Sequence, residues 1–500
     1  MAALEQELFA TGLPVEALME KAALALTGRI QSQWSEHLRL HGAVVLVGPG
    51  HNGGDGLVMA RELQLAGVSV TIWSPFERHK PLTESHLRHA LWLGIPRLEQ
   101  PPEPDAMPLW IDALFGIGQR RPPGVAIEEL LAERDQHRPR TLVAVDSPTG
   151  ICSDSGQLLG RVAARAHTTY VIGLLKMGLV QDSALAWVGR LERIDLGVPP
   201  RLLETLPADQ PLGLHPGDFD TLPPLNLDPS AGKYGRGRLL VVAGSDRYPG
   251  AAVLAMRGAD ASGCGALQAA IPQALAEGLW MWLPHAVLLQ ALPCKPTGHL
   301  DLSLLTSVAL DRLDAVLVGP GIGAADEALT GSESAAWECL QRFCGLLVLD
   351  ADGLNRLDSR WLRGRCGPTW ITPHRAEFNR LFVDLAKVPP LEAAAEAARR
   401  SGVVVLLKGA HTVVASPDGR CWQLLQSAPA AARTGLGDVL AGYAAGRGAL
   451  AMASGASAHP EQLAAAALAH ADAGRALQHQ GVVPSPEGIA DALIRKTSIS

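Results

Sequence analysis

A chain of 500 residues with a formal charge of -7 carries no basic surplus, which argues against a nucleic-acid binder, while 47% apolar against 19% charged residues is enough to bury sizeable cores. That length exceeds what one ordinary core supports, so two domains, or three, are expected. The cysteines at 152, 264, 294, 339, 344, 366 and 421 are odd in number and form no CxxC pair, so neither a disulfide framework nor a zinc site is indicated and a reducing cytoplasm fits best. With no basic segment leading into an apolar stretch at the start and no run of about 18 apolar residues, neither secretion nor membrane spanning is expected.

Along the chain, Leu18, Ala22, Ala25 and Leu26 share one face of an opening helix. Short β-branched runs at 43–47, 68–73, 109–111, 142–145 and 168–172 then alternate with amphipathic stretches, the rhythm of βαβ units. The block ends in turns around 189–200, and prolines and glycines cluster without periodicity from 199 to 237, which reads as a linker plus the entry to a second unit. The first domain is expected to span 1–207 and the second 208–500. In the second, buried-strand candidates fall at 238–243, 315–318, 346–349, 369–372 and 403–407, and alanine-rich helices at 436–443 and 461–477 close the chain. No internal repeat links the halves, so a fusion of unrelated α/β domains is expected rather than a duplication.

Between the first strand and the helical run 57–65 lies the elbow Gly48-Pro49-Gly50-His51-Asn52-Gly53-Gly54-Asp55-Gly56. Free N–H groups at a helix start and close approach through glycine make such a turn an anion site, and the side-chain oxygens of Asn52 and Asp55 suit an ion as well. A plain chain reversal is the alternative. The spacing matches neither GxGxxG nor GxxxxGK[ST], which disfavours a nicotinamide oxidoreductase. Asp112 and Asp146 close two further strands, each followed by a glycine-containing turn, and are expected on the same rim as the elbow; an isolated helix cap is the alternative for either. In the second domain Lys408-Gly409-Ala410-His411-Thr412 follows a strand and Thr434-Gly435-Leu436-Gly437-Asp438 opens a helix. Together they form a phosphate cradle with a carboxylate beside it, as phosphoryl transfer needs.

The strings HNGGDGLVMAREL, IDALFGIG, VAVDSPTGICSDSG and LLKMGL resemble the motifs of the NAD(P)H-hydrate epimerases over nearly all of the first domain. That resemblance implies a Rossmann-like three-layer α/β/α domain in which His51, Asn52, Gly53, Gly54 and Asp55, with Gly116, Ile117, Gly118, Gln119, Arg120, Arg121 and Pro122, bind the hydrated dinucleotide. It implies Asp146 as acid/base at the nicotinamide ring, and Asn52, Asp112 and Thr149 as holders of a potassium ion. His51 stands where the family has its first Asn, and Thr149 where it has Ser; the latter keeps the hydroxyl.

The second half resembles the ADP-dependent NAD(P)H-hydrate dehydratases of the ribokinase-like superfamily through GKYGRGRLLVVAGSDRYPGAAVLA, VLVGPGIG, LVLDADGLN, WITPHRAEFNRL, VLLKGAHTVVASPDG and GLGDVLAG, in family order. By that resemblance Ala252, Gly323 and His374 contact the hydrated nucleotide, Lys408, Gly409, Ala410, His411, Thr412 and Gly437 bind the adenine nucleotide, and Asp438 takes the proton of the hydroxyl being phosphorylated. Asp352 is placed to reach nucleotide-bound magnesium. The run 427–438 departs from the family's GNPGMATGGTGD-like pattern: the Asn-Pro-Gly turn is absent, Leu436 replaces a small or hydroxylated residue, and Arg433 offers a new phosphate contact.

The resemblances together imply a soluble cytoplasmic homo-oligomer with no nucleic-acid or membrane partner, acting on NADHX and NADPHX. It would interconvert the R and S epimers and dehydrate the S epimer with magnesium and ADP, giving AMP and phosphate. The alternative is a ribokinase-like kinase for a small vitamin precursor, fused to a nucleotide-binding module.

Overall fold

Strands covered on both faces read as unbroken apolar runs, and Ala43–Val47 is buried at every position. The computed structural model describes residues 1–207, 209–221, 230–323, 331–426, 432–455 and 457–497, which fall into two compact units, Met1–Pro207 and Ala208–Ser500.

Unit 1 holds β1 (Ala43–Val47), β2 (Val70–Trp73), β3 (Arg97–Leu98), β4 (Leu109–Ala113), β5 (Leu142–Val145), β6 (Thr168–Ile172) and β7 (Arg190–Ile194). They lie in the order β3-β2-β1-β4-β5-β6-β7, all parallel. Alternate residues of β1 enter two cores. Val45 and Val47 pack with helices Val15–His41 and His51–Leu65, while Val44 and Leu46 pack with helix Val125–His137. The result is a three-layer α/β/α unit. The chain runs outward from β1 to β3 and returns to place β4 on the other side of β1, so the crevice beyond β1 and β4 is the topological switch point where such sheets take ligands.

Unit 2 holds β8 (Leu212–Leu214), β9 (Arg238–Val242), β10 (Ala266–Pro272), β11 (Val287–Leu292), β12 (Ala315–Val318), β13 (Leu346–Leu349), β14 (Thr369–Ile371), β15 (Val404–Leu407), β16 (Val413–Ala415) and β17 (Cys421–Leu424). Their order is β11-β10-β9-β12-β13-β14-β15-β16-β17-β8, with only the pairings of β16 antiparallel. Again the order reverses beside the first long strand, here between β9 and β12.

Several expectations change. Residues 190–194 are strand β7 rather than turn; its charged sequence fits an edge with one paired side. The linker region contains helix Pro200–Leu203 and strand β8, whose backbone pairs with β17. Ala25 is exposed and Ala23 takes the buried place on the opening helix. Strand β10, with three alanines in seven residues, lacks the β-branched signature, and its strand state comes from pairing with β9 and β11.

The long helix Leu436–Ala453 lies against helix Pro249–Ala261 at backbone distance. A Cβ at Gly442 would fall 1.9 Å from the Ala255 carbonyl oxygen, and one at Gly258 would fall 2.1 Å from that of Val439. Glycine here sets helix spacing. Gly442→Ala is therefore expected to lower the stability of unit 2 by about 1–3 kcal/mol, read as a reduced urea midpoint; an unchanged midpoint contradicts the packing.

Candidate active sites

In unit 1 the chain leaves β1 through Gly48, whose N–H donates to the Ala113 carbonyl at 3.1 Å, and a Cβ there would fall 1.6 Å from the Leu114 oxygen. Helix His51–Leu65 then begins inside the elbow itself. This changes the role of its glycines: Gly53, Gly54 and Gly56 are buried helix residues, and a Cβ on Gly56 would meet that of Ala113 at 2.5 Å. Gly50, His51, Asn52 and Asp55 instead face a cavity of about 430 Å³. Its other walls are the segment 114–119, Lys80, Asp146, Ile172 and, from helix Ala2–Ala10, Glu5 and Phe9.

Asp146 directly follows β5 with φ of 67°, an uncommon conformation that a short polar side chain tolerates. Its N–H donates to Tyr170 O at 2.8 Å, and its carboxylate accepts from the Ile172 N–H at 3.0 Å and from the Lys176 ammonium. Lys176 also donates to Ile172 O at 2.7 Å, so both partners of this buried pair are held in place. Burial first, then the charges of Asp146 and Glu5, push the Asp55 carboxyl well above its usual range. Burial and the Lys80 charge lower the pKa of His51.

Asp112 is fully buried beneath the cavity, where its two oxygens accept from the Thr149 N–H and Oγ1, both at 2.8 Å, and from the Leu114 N–H at 3.2 Å. Burial pushes its pKa up to about 6 against the pull of those bonds, and no cationic side chain pairs with it among the described residues. Asn52, beside Gly116, has its Nδ2 buried without a hydrogen-bond partner. Gln119 ties the rim together, its Oε1 accepting from the Gly150 N–H at 2.9 Å and its Nε2 donating to Arg121 O at 3.2 Å. Arg120 is an exposed partner of Asp154, and neither it nor Arg121 nor Pro122 lines the cavity. Gly116, Ile117, Gly118 and Gln119 do.

In unit 2 three strand ends meet. Asp350, after β13, is 1% exposed and accepts from Thr372 Oγ1, after β14, at 2.8 Å and from Lys408 Nζ, after β15, at 2.7 Å. Burial works to lower the Lys408 pKa, but the carboxylates of Asp350, Glu377 and Asp438 override it and hold the ammonium charged. The start of helix Leu436–Ala453 opens over that ammonium: a Cβ on Gly437 would lie 3.2 Å from Lys408 Nζ. Gly435 caps the helix at φ of 90°, a left-handed position glycine fills without strain. Asp438, in the first turn, is pushed up to about 7 by burial, then by Asp350 and other carboxylates, against the pull of Lys408.

Around this centre Gly409 and Ala410 are exposed, His411 is buried, and Thr412 Oγ1 donates to Gly409 O at 3.2 Å to close the loop. The Lys408 N–H donates to Pro373 O at 2.9 Å and brings the loop beside His374. His374 caps helix Arg375–Leu381 through Nδ1, which accepts from the Ala376 and Glu377 N–H groups. Gly323 donates to Asp352 Oδ2 at 2.9 Å, so Asp352 orders a loop rather than standing free for a metal. Ala252 is fully buried with its methyl under Gly244, which leaves only its backbone for any ligand. Leu436 turns its side chain into the core, which reconciles a leucine with this turn; residues 427–431 lie outside the described set.

A family described as NAD(P)H-hydrate dehydratase matches residues 239–495, and one described as YjeF-related protein N-terminus matches residues 15–178. The bifunctional NAD(P)H-hydrate repair enzyme Nnr of Gloeobacter violaceus is 42% identical over 447 residues, covering 88% of this chain and 85% of that protein. The chain belongs to the bifunctional NAD(P)H-hydrate repair enzymes. The Synechocystis member is 40% identical over 456 residues, covering 89% of this chain and 84% of that protein. Among solved structures, the ADP/ATP-dependent NAD(P)H-hydrate dehydratase from Bacillus subtilis co-crystallized with ATP/Mg2+ is 26% identical, covering 57% of this chain and 97% of that chain with a TM-score of 0.47.

For this repair enzyme, reading the sequence by motif missed Lys176, Asp350, Thr372 and Glu5. Lys176 lies in the quoted LLKMGL string and Asp350 in LVLDADGLN, but pairing them with Asp146 and Lys408 needs the strand order. Lys176→Met removes one partner of a buried ion pair and is expected to cost about 3–5 kcal/mol, read by urea unfolding at neutral pH. A variant as stable as the parent contradicts a buried, paired Asp146.

Proposed function

We propose that unit 1 interconverts the R and S epimers of hydrated NADH and NADPH, and that unit 2 dehydrates the S epimer with ADP, yielding AMP and phosphate. The observation that carries this reading is the charge arrangement at the carboxyl ends of the two sheets: Asp146, anchored by Lys176 and facing a cavity, in unit 1, and Asp438 beside Lys408 and a helix start in unit 2. Asp146 acts as acid/base at the hydroxyl of the nicotinamide ring, and the segments 50–55 and 116–119 hold the dinucleotide. In unit 2 Asp438 takes the proton of the substrate hydroxyl, whose oxygen attacks the terminal phosphoryl group of ADP. The N–H groups at the helix start and the Lys408 ammonium stabilise the charge that grows on the transferred group. Phosphate then departs from the ring carbon and a proton from its neighbour, restoring the dihydronicotinamide. Phosphate is a far better leaving group than hydroxide, which is the reason to couple a dehydration to a nucleotide.

Potassium fits unit 1, because the buried Asp112 carboxylate has no cationic partner among the described residues and shares its place with the Thr149 hydroxyl oxygen. Asn52, Asp112 and Thr149 would hold it, and it would supply positive charge that anchors the loops around the ring. Magnesium would come to unit 2 as a companion of the nucleotide phosphates, bound through phosphate oxygens and water with at most one or two carboxylates of the site. No helix among the described residues is long and apolar enough to cross a membrane, and the reading places the enzyme in the cytoplasm, as a homo-oligomer.

Asp438→Asn should abolish recovery of NADH from the S epimer while R and S still interconvert, followed by chromatography of the two epimers. Asp146→Ala should leave S turnover intact and hold R at its spontaneous rate; concerted loss of both activities in either variant sinks the assignment. Phosphate release should match NADH formed one for one, whereas a persistent phosphoester would favour a kinase.

Because Asp438 acts ionised and burial raises it to about 7, kcat/KM for the S epimer should climb about tenfold per pH unit below 7 and level off above. A profile flat from pH 5 to 8 contradicts the base role. Replacing sodium by potassium should raise the melting temperature of the parent by a few degrees, and Asp112→Asn should lose that response. An equal response in both disproves the ion site.

A further inference from the structure

Helix Ala2–Ala10 is no part of the seven-stranded sheet, yet it reaches the cavity of unit 1 with Glu5 and Phe9. Three carboxyl groups, Glu5, Asp55 and Asp146, therefore face one space, with Lys176 as the cation that acts on all of them. They are not equivalent. Asp146 is fastened by the Lys176 ammonium and the Ile172 N–H, while among the described residues no ion pair or side-chain hydrogen bond holds Glu5. We propose that Glu5 is the second proton-transfer residue of the unit 1 reaction, facing Asp146 across the ring of the hydrated nicotinamide. The proposal rests on the epimerase reading above.

Inverting the hydroxyl-bearing carbon requires an acid on one side and a base on the other. The acid gives its proton to the hydroxyl, and the C–O bond breaks with its electron pair going to oxygen, which leaves as water. The ring nitrogen lone pair forms a C=N bond. Water then adds to that carbon from the opposite face, its proton goes to the ionised carboxylate, and the C=N pair returns to nitrogen. One carboxyl has lost a proton and the other has gained one, so no outside reagent is needed. Burial and then the charge of Asp146 raise the Glu5 carboxyl above its ordinary range, and Lys176 and the Met1 amino group oppose them. Asp55, whose carboxyl burial, Asp146 and Glu5 push well above its usual range, lines the same cavity.

The test uses the full-length protein with the R epimer, magnesium and excess ADP, the spontaneous epimerisation subtracted, and S turnover measured in the same preparation. Glu5→Gln should lower R turnover at least tenfold with KM changed less than threefold and S turnover unchanged. Glu5→Asp should restore part of the loss. The unmodified protein should show an alkaline fall in R turnover that is absent from S turnover and that Glu5→Gln removes. R turnover within twofold of the parent in Glu5→Gln overturns the proposal. So does an alkaline limb unmoved by the substitution, which would mark a packing role, and so does its absence in the parent, whatever the variants do. If the unmodified protein consumes S but leaves R at its spontaneous rate, the epimerase reading itself fails and the proposal falls with it.

Discussion

A carboxylate buried at the end of a parallel strand is costly unless a cation or a set of hydrogen bonds compensates it, and both units are organised around that requirement. In unit 1 Asp146 is matched by Lys176 and Asp112 by the hydrogen bonds of Thr149 and Leu114; in unit 2 Asp350 is matched by Lys408 and Thr372. Each of these residues lies at or just beyond the carboxyl end of a parallel strand, on the edge of the sheet where such folds take their ligands. The same geometry that makes a ligand crevice thus concentrates charge there, and what the protein fails to neutralise itself is available to substrate, nucleotide or ion.

The small residues of the chain serve this arrangement in a way their motif does not announce. Glycines 48 and 56 bring the elbow onto β4, so that His51, Asn52 and Asp55 turn toward the cavity while the glycines turn away from it. Gly258 and Gly442 do the equivalent work in unit 2, setting the depth at which the helix carrying Asp438 lies against its neighbour. Packing and chemistry are coupled because the reactive side chain and the packing residue are a few positions apart on one helix.

Much of the α/β architecture could be read from the sequence, since strands β1, β5, β12 and β13 are continuous apolar runs, and β6 a β-branched one, with the bounds their pattern implies. What escaped was what depends on neighbours. The alanine-rich β10, the charged edge strand β7 and the short β8 acquire strand structure from pairing rather than from propensity. In the sites, the elbow and the Gly437-Asp438 turn were legible because their residue types are unusual at a strand-to-helix junction. The partners Lys176 and Asp350 were not, since thirty and fifty-eight positions separate them from Asp146 and Lys408. Glu5 was invisible for the same reason, one carboxylate in an ordinary amphipathic helix until that helix is seen to close a cavity.

The central claim is that one chain returns both epimers of the hydrate to reduced nicotinamide. Its most direct test is the absorbance of the reduced ring, followed after mixing the unmodified protein with R and S hydrate, magnesium and potassium, with and without ADP. The account predicts complete recovery with ADP, beyond the initial S share and faster than spontaneous epimerisation, and none without it. Recovery that stops at the S share, or that proceeds equally without the nucleotide, would contradict it.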